Sequence, residues 1–274
     1  MIYVNDIEVK QEQFGDGTLK CALGNRQDMV DGADTITISW YYDNDAELFT
    51  VIALHDHFAE YFPELKQILF MPYIPHARQD RFVSGRLFTL KSFAKVINGL
   101  NFSRVVVVDP HSDVSTALLD RVRVTNIDFL NILSAISSLN KEYGFTGEPV
   151  AVMFPDAGAA KKYWVPDWLQ HYVIVGNKHR NADGRIDGYE LLNFTPGVKT
   201  VVIRDDICSY GGTFAAAAAE LRKRGVENIY LVVSHCENNI LKGSVLDIVD
   251  AVYTTDSIFT ESHQKIHVVT KYRG

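Results

Sequence analysis

The sequence predicts an α/β chain of two architecturally similar halves, each a mainly parallel sheet flanked by helices. Three observations lead there. Short apolar, β-branched runs recur along the chain, as buried parallel strands require. Stretches with a helical spacing of apolar residues separate them. Several of these strands empty into charged or glycine-bearing turns, and open α/β sheets bind ligands at the carboxyl ends of their strands.

In the first half, Ile2 to Val9 and Leu19 to Leu23 alternate as strands, with Phe14-Gly15-Asp16-Gly17 as the hairpin turn between them. Thr35 to Tyr42 is a further strand. Leu48, Val51, Ile52, His55, Ala59 and Phe62 then share one face of a helix that stops at Pro63, with His55 and His57 as ordinary helix residues. The strand Ile68 to Tyr73 delivers the segment PHARQDR, in which Arg78 and Arg81 flank Gln79 and Asp80. Two guanidiniums at a strand end suit phosphate oxygens, although an isolated RQDR also reads as surface arginines paired with a local aspartate. Leu90, Phe93, Ala94 and Ile97 mark the next helix. The strand Arg104 to Val108 follows and ends in Asp109-Pro110-His111, which sets an acid and an imidazole at a sheet edge. A purely structural histidine is the alternative there.

Asp128 can cap a helix carrying Ile132, Ile136, Leu139 and Tyr143, and Gly144 with the following Thr-Gly-Glu-Pro breaks it. The expected domains are therefore residues 1–146 and 147–274. The second half repeats the grammar of the first, with the strand Val150 to Phe154 and then Pro155-Asp156-Ala157-Gly158 at the head of a helix. Tyr172 to Val175 is a strand that runs into a polar segment, Gly176 to Arg185, expected to have little intrinsic order and carrying Lys178 and Arg180. Further strands are expected at Ile229 to Ser234, Ala251 to Thr254 and Ile266 to Val269.

The most informative stretch is TVVIRDDICSYGGTFAAAAAEL, Thr200 to Leu221. A buried strand is closed by Asp205 and Asp206, and Gly211, Gly212 and Thr213 open a helix that is stopped by Gly225. Such a turn aims backbone N–H groups at an anion. Two carboxylates beside an anion cradle point to a phosphorylated sugar, with phosphate on the amides and hydroxyls or Mg²⁺ on the acids. Glycine used only for its backbone freedom is the blander reading of a lone Gly-Gly-Thr.

The chain of 274 residues is 47% apolar, enough for two ordinary cores. Its net charge of −7 gives no basic footprint for nucleic acid or an acidic membrane surface, so small molecules are the expected partners. Cys21, Cys208 and Cys236 have no metal-ligand spacing, and there is no signal segment or 18-residue apolar span. A cytoplasmic location is expected, with Cys208 as a small packing residue.

Six features occur in order: FGDG, ARQDR, Asp-x-His after a strand, a Pro-Asp-x-Gly turn, Lys-x-Arg after a strand, and the acid-acid-glycine turn. Together they resemble the ribose-phosphate pyrophosphokinase (PRPP synthetase) family over nearly the full length. The resemblance implies two type I phosphoribosyltransferase-like domains, the first on the ATP side and the second with the ribose-phosphate loop. It implies an ATP site with Arg78, Gln79 and Arg81, completed by Phe14 and Asp16 of a neighbouring subunit, hence a homo-oligomer, a dimer or larger. His111 and Asp156 correspond to family residues around Mg²⁺ on the ATP phosphates. Asp205 and Asp206 correspond to those that hold the ribose hydroxyls and a second metal. Ser209, Tyr210, Gly211, Gly212 and Thr213 form the ribose-phosphate turn, and Lys178 and Arg180, with His111, are the catalytic candidates. The implied reaction moves the diphosphate of Mg-ATP to the carbon-1 hydroxyl of a ribose 5-phosphate moiety and releases AMP.

The sequence also departs from the family. Thr18 stands where a glutamate would help select adenine, and the C-terminal helix that usually follows the last strand is lacking. In the phosphate turn, Ser209-Tyr210 replaces Asp-Thr. Tyr210 could crowd a phosphate monoester, or stack on a nucleoside joined through a diphosphate. ADP-ribose, whose product could feed NAD synthesis, is therefore weighed with ribose 5-phosphate as acceptor. The competing readings are a type I phosphoribosyltransferase, which would leave ARQDR without a role, and a non-catalytic regulatory member of the family.

Overall fold

The structure is a computed structural model that describes residues 1–24, 29–30, 32–83, 85–142, 150–180 and 186–273, excepting the side chains of 137–142, 179–180 and 186–187. It divides into two compact units, Met1–Asn126 with Arg273, and Ile127–Tyr272.

In the first unit β1 (Ile2–Val4), β2 (Ile7–Glu8), β3 (Lys10–Gln13), β4 (Leu19–Ala22) and β5 (Thr35–Trp40) precede α1 (Glu47–Tyr61) and β6 (Lys66–Phe70). Then come α2 (Thr89–Gly99), β7 (Arg104–Val108), α3 (Asp113–Leu118) and β8 (Val122–Thr125). The sheet order is β2-β1-β5-β6-β7-β8, parallel from β5 to β8. The expected strand from Ile2 to Val9 is broken, because Asn5 and Asp6 both take positive φ and turn the chain back on itself. The hairpin with the FGDG tip is therefore β3 with β4, a separate two-stranded ribbon. Helix α1 buries Glu47, Thr50, Val51, Leu54 and Phe58, while Ala59, expected on that face, is exposed. Helix α2 buries the expected Leu90, Phe93, Ala94 and Ile97.

The second unit contains α4 (Phe129–Glu142), β9 (Val150–Phe154), α5 (Ala157–Lys162), β10 (Val173–Arg180), β11 (Ile186–Leu192) and β12 (Thr200–Cys208). It continues with α6 (Gly212–Lys223), β13 (Asn228–Cys236), α7 (Val245–Ile248), β14 (Ala251–Thr255) and β15 (Ile266–Thr270). The sheet order is β11-β10-β9-β12-β13-β14-β15, with β11 as its antiparallel strand. Val201 and Ile203 of β12, Ile229, Leu231 and Val233 of β13 and Ala217, Ala218 and Leu221 of α6 share one core. The alanine run is what lets α6 lie close against it.

The units divide after Asn126, not near the expected residue 146. Helix α4 goes with the second unit: the Arg204 guanidinium stacks 4.2 Å from the Phe129 ring and 4.1 Å from the Tyr163 ring. Ile132 and Ala135 of α4 also line a cavity of about 300 Å³ with Tyr253 and Val269. The Gly144 break itself lies outside the described residues.

Candidate active site

The second sheet reverses its build order between β9 and β12, since the chain leaves β9 for β10 on one side and returns to β12 on the other. A crevice outside the carboxyl ends of the strands is expected at such a switch point. Asp156 stands at the end of β9. Its Oδ1 accepts the amides of Gly158 and Ala159, both at 3.0 Å, and so caps α5. Its Oδ2 accepts a hydrogen bond from Lys178 Nζ at 2.8 Å. Burial works against the charged form, but Lys178 and the two amides outweigh it and hold this carboxyl below its ordinary range.

Lys178 is not in a loose loop. Strand β10 continues through it to Arg180 and pairs antiparallel with β11, where Lys178 sits opposite Tyr189. The segment expected to lack order is thus strand up to Arg180, because β11 supplies the partners that its own polar sequence does not advertise. The side chain of Arg180 and residues 181–185 lie outside the described residues. Tyr189 donates its hydroxyl proton to the Pro155 carbonyl at 2.8 Å. A Cβ at Gly176 would lie 2.0 Å from that hydroxyl, so this close crossing requires glycine. Burial, then the charges of Asp156 and Asp205, push the Tyr189 hydroxyl well above its ordinary value.

Asp205 and Asp206 do not close β12 as expected. They lie within it, three and two residues before its end, with Asp205 opposite Val233 of β13. Successive strand residues face opposite sides of a sheet, so the two acids start on opposite faces. The Asp206 amide nevertheless donates to Asp205 Oδ1 at 2.9 Å. Burial, then the Asp206 carboxylate, with Asp156 adding, push the Asp205 carboxyl up to about 8.

Beyond β12 the turn takes the form expected of an anion cradle. Gly211 has φ of 78° and precedes the first residue of α6, whose N-terminus carries no side-chain cap. A Cβ at Gly211 would lie 2.5 Å from Val245 Cγ1, so both conformation and packing demand glycine. Tyr210 is 55% exposed. Ser209 donates its hydroxyl to Glu237 Oε2 at 2.5 Å. Cys208 is buried, and the neighbouring Cys236 thiol, then burial, raise its thiol well above the ordinary value, as suits a packing residue and not a nucleophile.

In the first unit, Arg78, Gln79 and Arg81 are exposed around a buried Asp80. Arg81 donates to both Asp80 oxygens, at 2.9 and 3.3 Å, which is the local pairing that an isolated RQDR allows. Arg81 lowers the Asp80 carboxyl against the effect of burial, with Ser112 and His111 adding, so the RQDR and Asp-Pro-His segments adjoin. Gln79 accepts from the Thr89 hydroxyl at 2.6 Å. His76, in the turn that follows β6, and Asp109, directly after β7, take positive φ (64° and 39°), conformations that a side chain resists and that local structure must enforce. Phe14 is 55% exposed at the tip of the β3–β4 ribbon. Asp16 braces that tip by accepting from the Thr18 amide and hydroxyl.

Two site residues escaped the sequence. Tyr189 lies on β11, whose pairing with β10 spans a polar segment, and Asp183-Gly184 in that segment is the hairpin signal that could have found it. Glu237 follows the apolar strand β13, and the rule that drew attention to Asp109 and Asp205 at strand ends would have found it. Among the described residues, no group of three or more His, Cys, Asp or Glu side chains is arranged to hold a metal ion, and no helix is long and apolar enough to cross a membrane.

No family model matches the chain. A protein of Streptococcus agalactiae described as a putative ribose-phosphate pyrophosphokinase 2 is 26% identical over 258 residues, 93% of this chain and 76% of that protein. Ribose-phosphate pyrophosphokinase 2 of Enterococcus faecalis is 27% identical over 203 residues, 72% of this chain and 60% of that protein. The crystal structure of phosphoribosylpyrophosphate synthetase from Mycobacterium smegmatis shares the fold with a TM-score of 0.70 at 18% identity, covering 98% of this chain and 88% of that one. The sequence similarity and the shared fold agree with the order of the motifs, and the chain is similar to ribose-phosphate pyrophosphokinases over most of its length.

Proposed function

We propose that the protein is a diphosphokinase that transfers the β,γ-diphosphate of Mg-ATP to the carbon-1 hydroxyl of a ribose 5-phosphate moiety and releases AMP. The observation that carries this reading is that the adjacent strands β10, β9 and β12 carry toward their carboxyl ends the Lys178–Asp156 pair and the crowded acids Asp205 and Asp206, with the uncapped Gly211-Gly212-Thr213 turn following β12. The new bond joins the carbon-1 oxygen to the β-phosphorus, the bond from the β-phosphorus to the oxygen it shares with the α-phosphorus breaks, and that oxygen leaves with AMP. No side-chain nucleophile is needed, and the chain contributes by positioning and by neutralising charge.

In the second unit the turn amides bind the 5′-phosphate, Asp205 and Asp206 orient the ribose hydroxyls, and Lys178 and Arg180 meet charge that builds on the diphosphate. In the first unit Arg78, Gln79 and Arg81 serve the nucleotide, and Phe14 and Asp16 complete the ATP site of a neighbouring protomer in a homo-oligomer. The proposed location is cytoplasmic.

The residues fit Mg²⁺ in one respect: the unfavourable mutual charge of Asp205, Asp206 and Asp156 is what a cation relieves. The lack of a preformed cage among the described residues is compatible with Mg²⁺, which is commonly held by one or two carboxylates plus substrate phosphates. Asp156, Asp205 and Asp206 would hold it in the second unit, and His111 is the separate candidate ligand of the first unit. When bound, it would offset negative charge on the transferred group.

The exposure of Tyr210 keeps two acceptors in view, ribose 5-phosphate and a 5′-extended form such as ADP-ribose. An outward ring leaves room for a monoester and also offers a stacking surface, at about 1–3 kcal/mol by analogy with bases on aromatic side chains. Both compounds are to be offered with Mg-ATP at matched concentrations, with kcat/KM for AMP release measured for wild type and for Ser209→Asp/Tyr210→Thr. AMP release with either acceptor supports the reaction. A preference for ribose 5-phosphate that the double variant leaves unchanged removes the extended acceptor.

A further inference from the structure

The phosphate turn does not stand alone, for each of its residues from 208 to 211 meets a residue of the segment that follows β13. The Glu237 amide donates to the Cys208 carbonyl at 2.8 Å. The Ser209 hydroxyl donates to Glu237 Oε2 at 2.5 Å. A Cβ at Gly243 would fall 1.9 Å from the Tyr210 carbonyl oxygen, and one at Gly211 would fall 2.5 Å from Val245 Cγ1. Asn239 Nδ2 donates to the same Glu237 oxygen at 3.1 Å and steadies it from the other side.

Two of these contacts are packing and one is backbone, so Glu237 is the side chain that ties the turn down through a polar bond. A hydroxyl on a carboxylate is a charge-assisted bond, stronger than a neutral one, and a short one holds its donor in a single rotamer. With the Ser209 hydroxyl committed to Glu237, it does not compete with the ligand for the turn's amides, and the turn keeps its open shape before the phosphate arrives. A carboxylate consequently sits beside the phosphate turn, although no residue of the turn itself carries one.

We propose that Glu237 is a positioning residue of the acceptor site, and that its carboxylate, delivered from the end of β13, fixes the phosphate turn through Ser209. This rests on the acceptor reading given above. Because the serine oxygen lies 2.5 Å from the glutamate oxygen, a carboxylate placed at residue 209 comes close to the Asn239 amide that now donates to Glu237, and can accept from it in place of Glu237. The function of the pair is therefore transferable from one chain position to the other.

The test is a carboxylate relocation, read by ribose 5-phosphate binding in calorimetry without ATP and by steady-state kinetics with it. Glu237→Ala is expected to weaken ribose 5-phosphate binding and raise its KM by about tenfold, the scale of one charge-assisted hydrogen bond, with the ATP KM unchanged. Ser209→Asp/Glu237→Ala restores both to within about threefold of wild type, and Ser209→Asp alone, with two carboxylates in contact, is as impaired as Glu237→Ala or worse. Glu237→Gln keeps size and an acceptor oxygen, guards against misfolding, and falls between wild type and Glu237→Ala. An acceptor affinity unaffected by Glu237→Ala or Glu237→Gln overturns the proposal, and so does a relocated variant no better than Glu237→Ala. If the wild type binds ribose 5-phosphate but releases AMP neither with it nor with ADP-ribose, the transfer reading fails while the binding series still decides the role of Glu237. A wild type that does not bind it overturns the proposal as well.

Discussion

Replacing Asp205 by Asn should stabilise the ligand-free protein, and only at neutral to alkaline pH. The Asp205 carboxyl is pushed from its ordinary 3.8 up to about 8 by burial and by Asp206. In the unfolded chain the same group ionises near pH 4. Between these values the folded state holds a proton that the unfolded state has released, so stability falls as pH rises through that window. The contribution is complete below about pH 4 and lost as pH passes about 8. At about 1.4 kcal/mol per pH unit the full rise corresponds to roughly 6 kcal/mol. Sharing of the proton with Asp206 and solvent at the strand end reduce this, and about 2 to 3 kcal/mol is expected to reach the stability difference at pH 8. For a chain of this size that is about 4–12 °C in Tm. Calorimetric scans of wild type and Asp205→Asn at pH 5 and pH 8, without nucleotide or divalent cation, should show nearly equal Tm at pH 5 and a higher Tm for the variant at pH 8. Mg²⁺ with ribose 5-phosphate should narrow the gap at pH 8 by relieving the acids of the wild type. Equal Tm values at pH 8, or a variant destabilised at both pH values, would refute the charge crowding on which the assignment of this pair rests.

Other predictions address the rest of the site. Lys178→Ala should lower kcat by roughly 10²-fold with little change in ATP binding, since its contribution falls on developing charge; near-normal turnover would take β10 out of the mechanism. Gly211→Ala combines a φ of 78° with a Cβ 2.5 Å from Val245, so a loss of about 2–4 kcal/mol and a raised acceptor KM are expected, and an unchanged Tm would contradict the described turn. Asp156→Ala removes both the cap of α5 and the partner of Lys178. It should cost about 1–2 kcal/mol at pH 7, whereas Asp156→Asn, which keeps an acceptor for the amides, should cost less; equal losses in urea titrations would assign the effect to something other than the cap. If Phe14 and Asp16 serve a neighbouring protomer, light scattering should show an oligomer and Phe14→Ala should lose ATP affinity; a fully active monomer would end that assignment.

The strands and the acids at their ends were legible because buried parallel strands must be apolar throughout and so stop visibly where polarity begins. Arg104–Val108 and Val150–Phe154 agree with the structure residue for residue. Strand β12 shows the limit of that logic: Asp205 and Asp206 look like its end but lie inside it, because ladder pairing with β13 continues to Cys208 whatever the side chains are. The course of β10 through Lys178 depends on a partner strand and does not show in the apolar pattern. Likewise Asn5 and Asp6 gave a short turn that alternation alone conceals. The helix after Asp128 was legible, but its allegiance was not, because that is decided by Arg204 stacking on Phe129 from 75 residues along the chain. The phosphate turn was recognised from Gly211, Gly212 and Thr213, whereas its bond to Glu237 joins residues far apart in sequence and emerges only in three dimensions.

The most direct test of the account is the identity of the nucleotide product. Phosphorus NMR of the protein with Mg-ATP and ribose 5-phosphate, and in a second tube with ADP-ribose, follows every phosphate group at once. The account predicts that ATP is consumed in at least one tube, that AMP appears in equal amount, and that a new pair of coupled signals reports a diphosphate on carbon 1. Formation of ADP, of inorganic phosphate alone, or no consumption of ATP with either acceptor would contradict it.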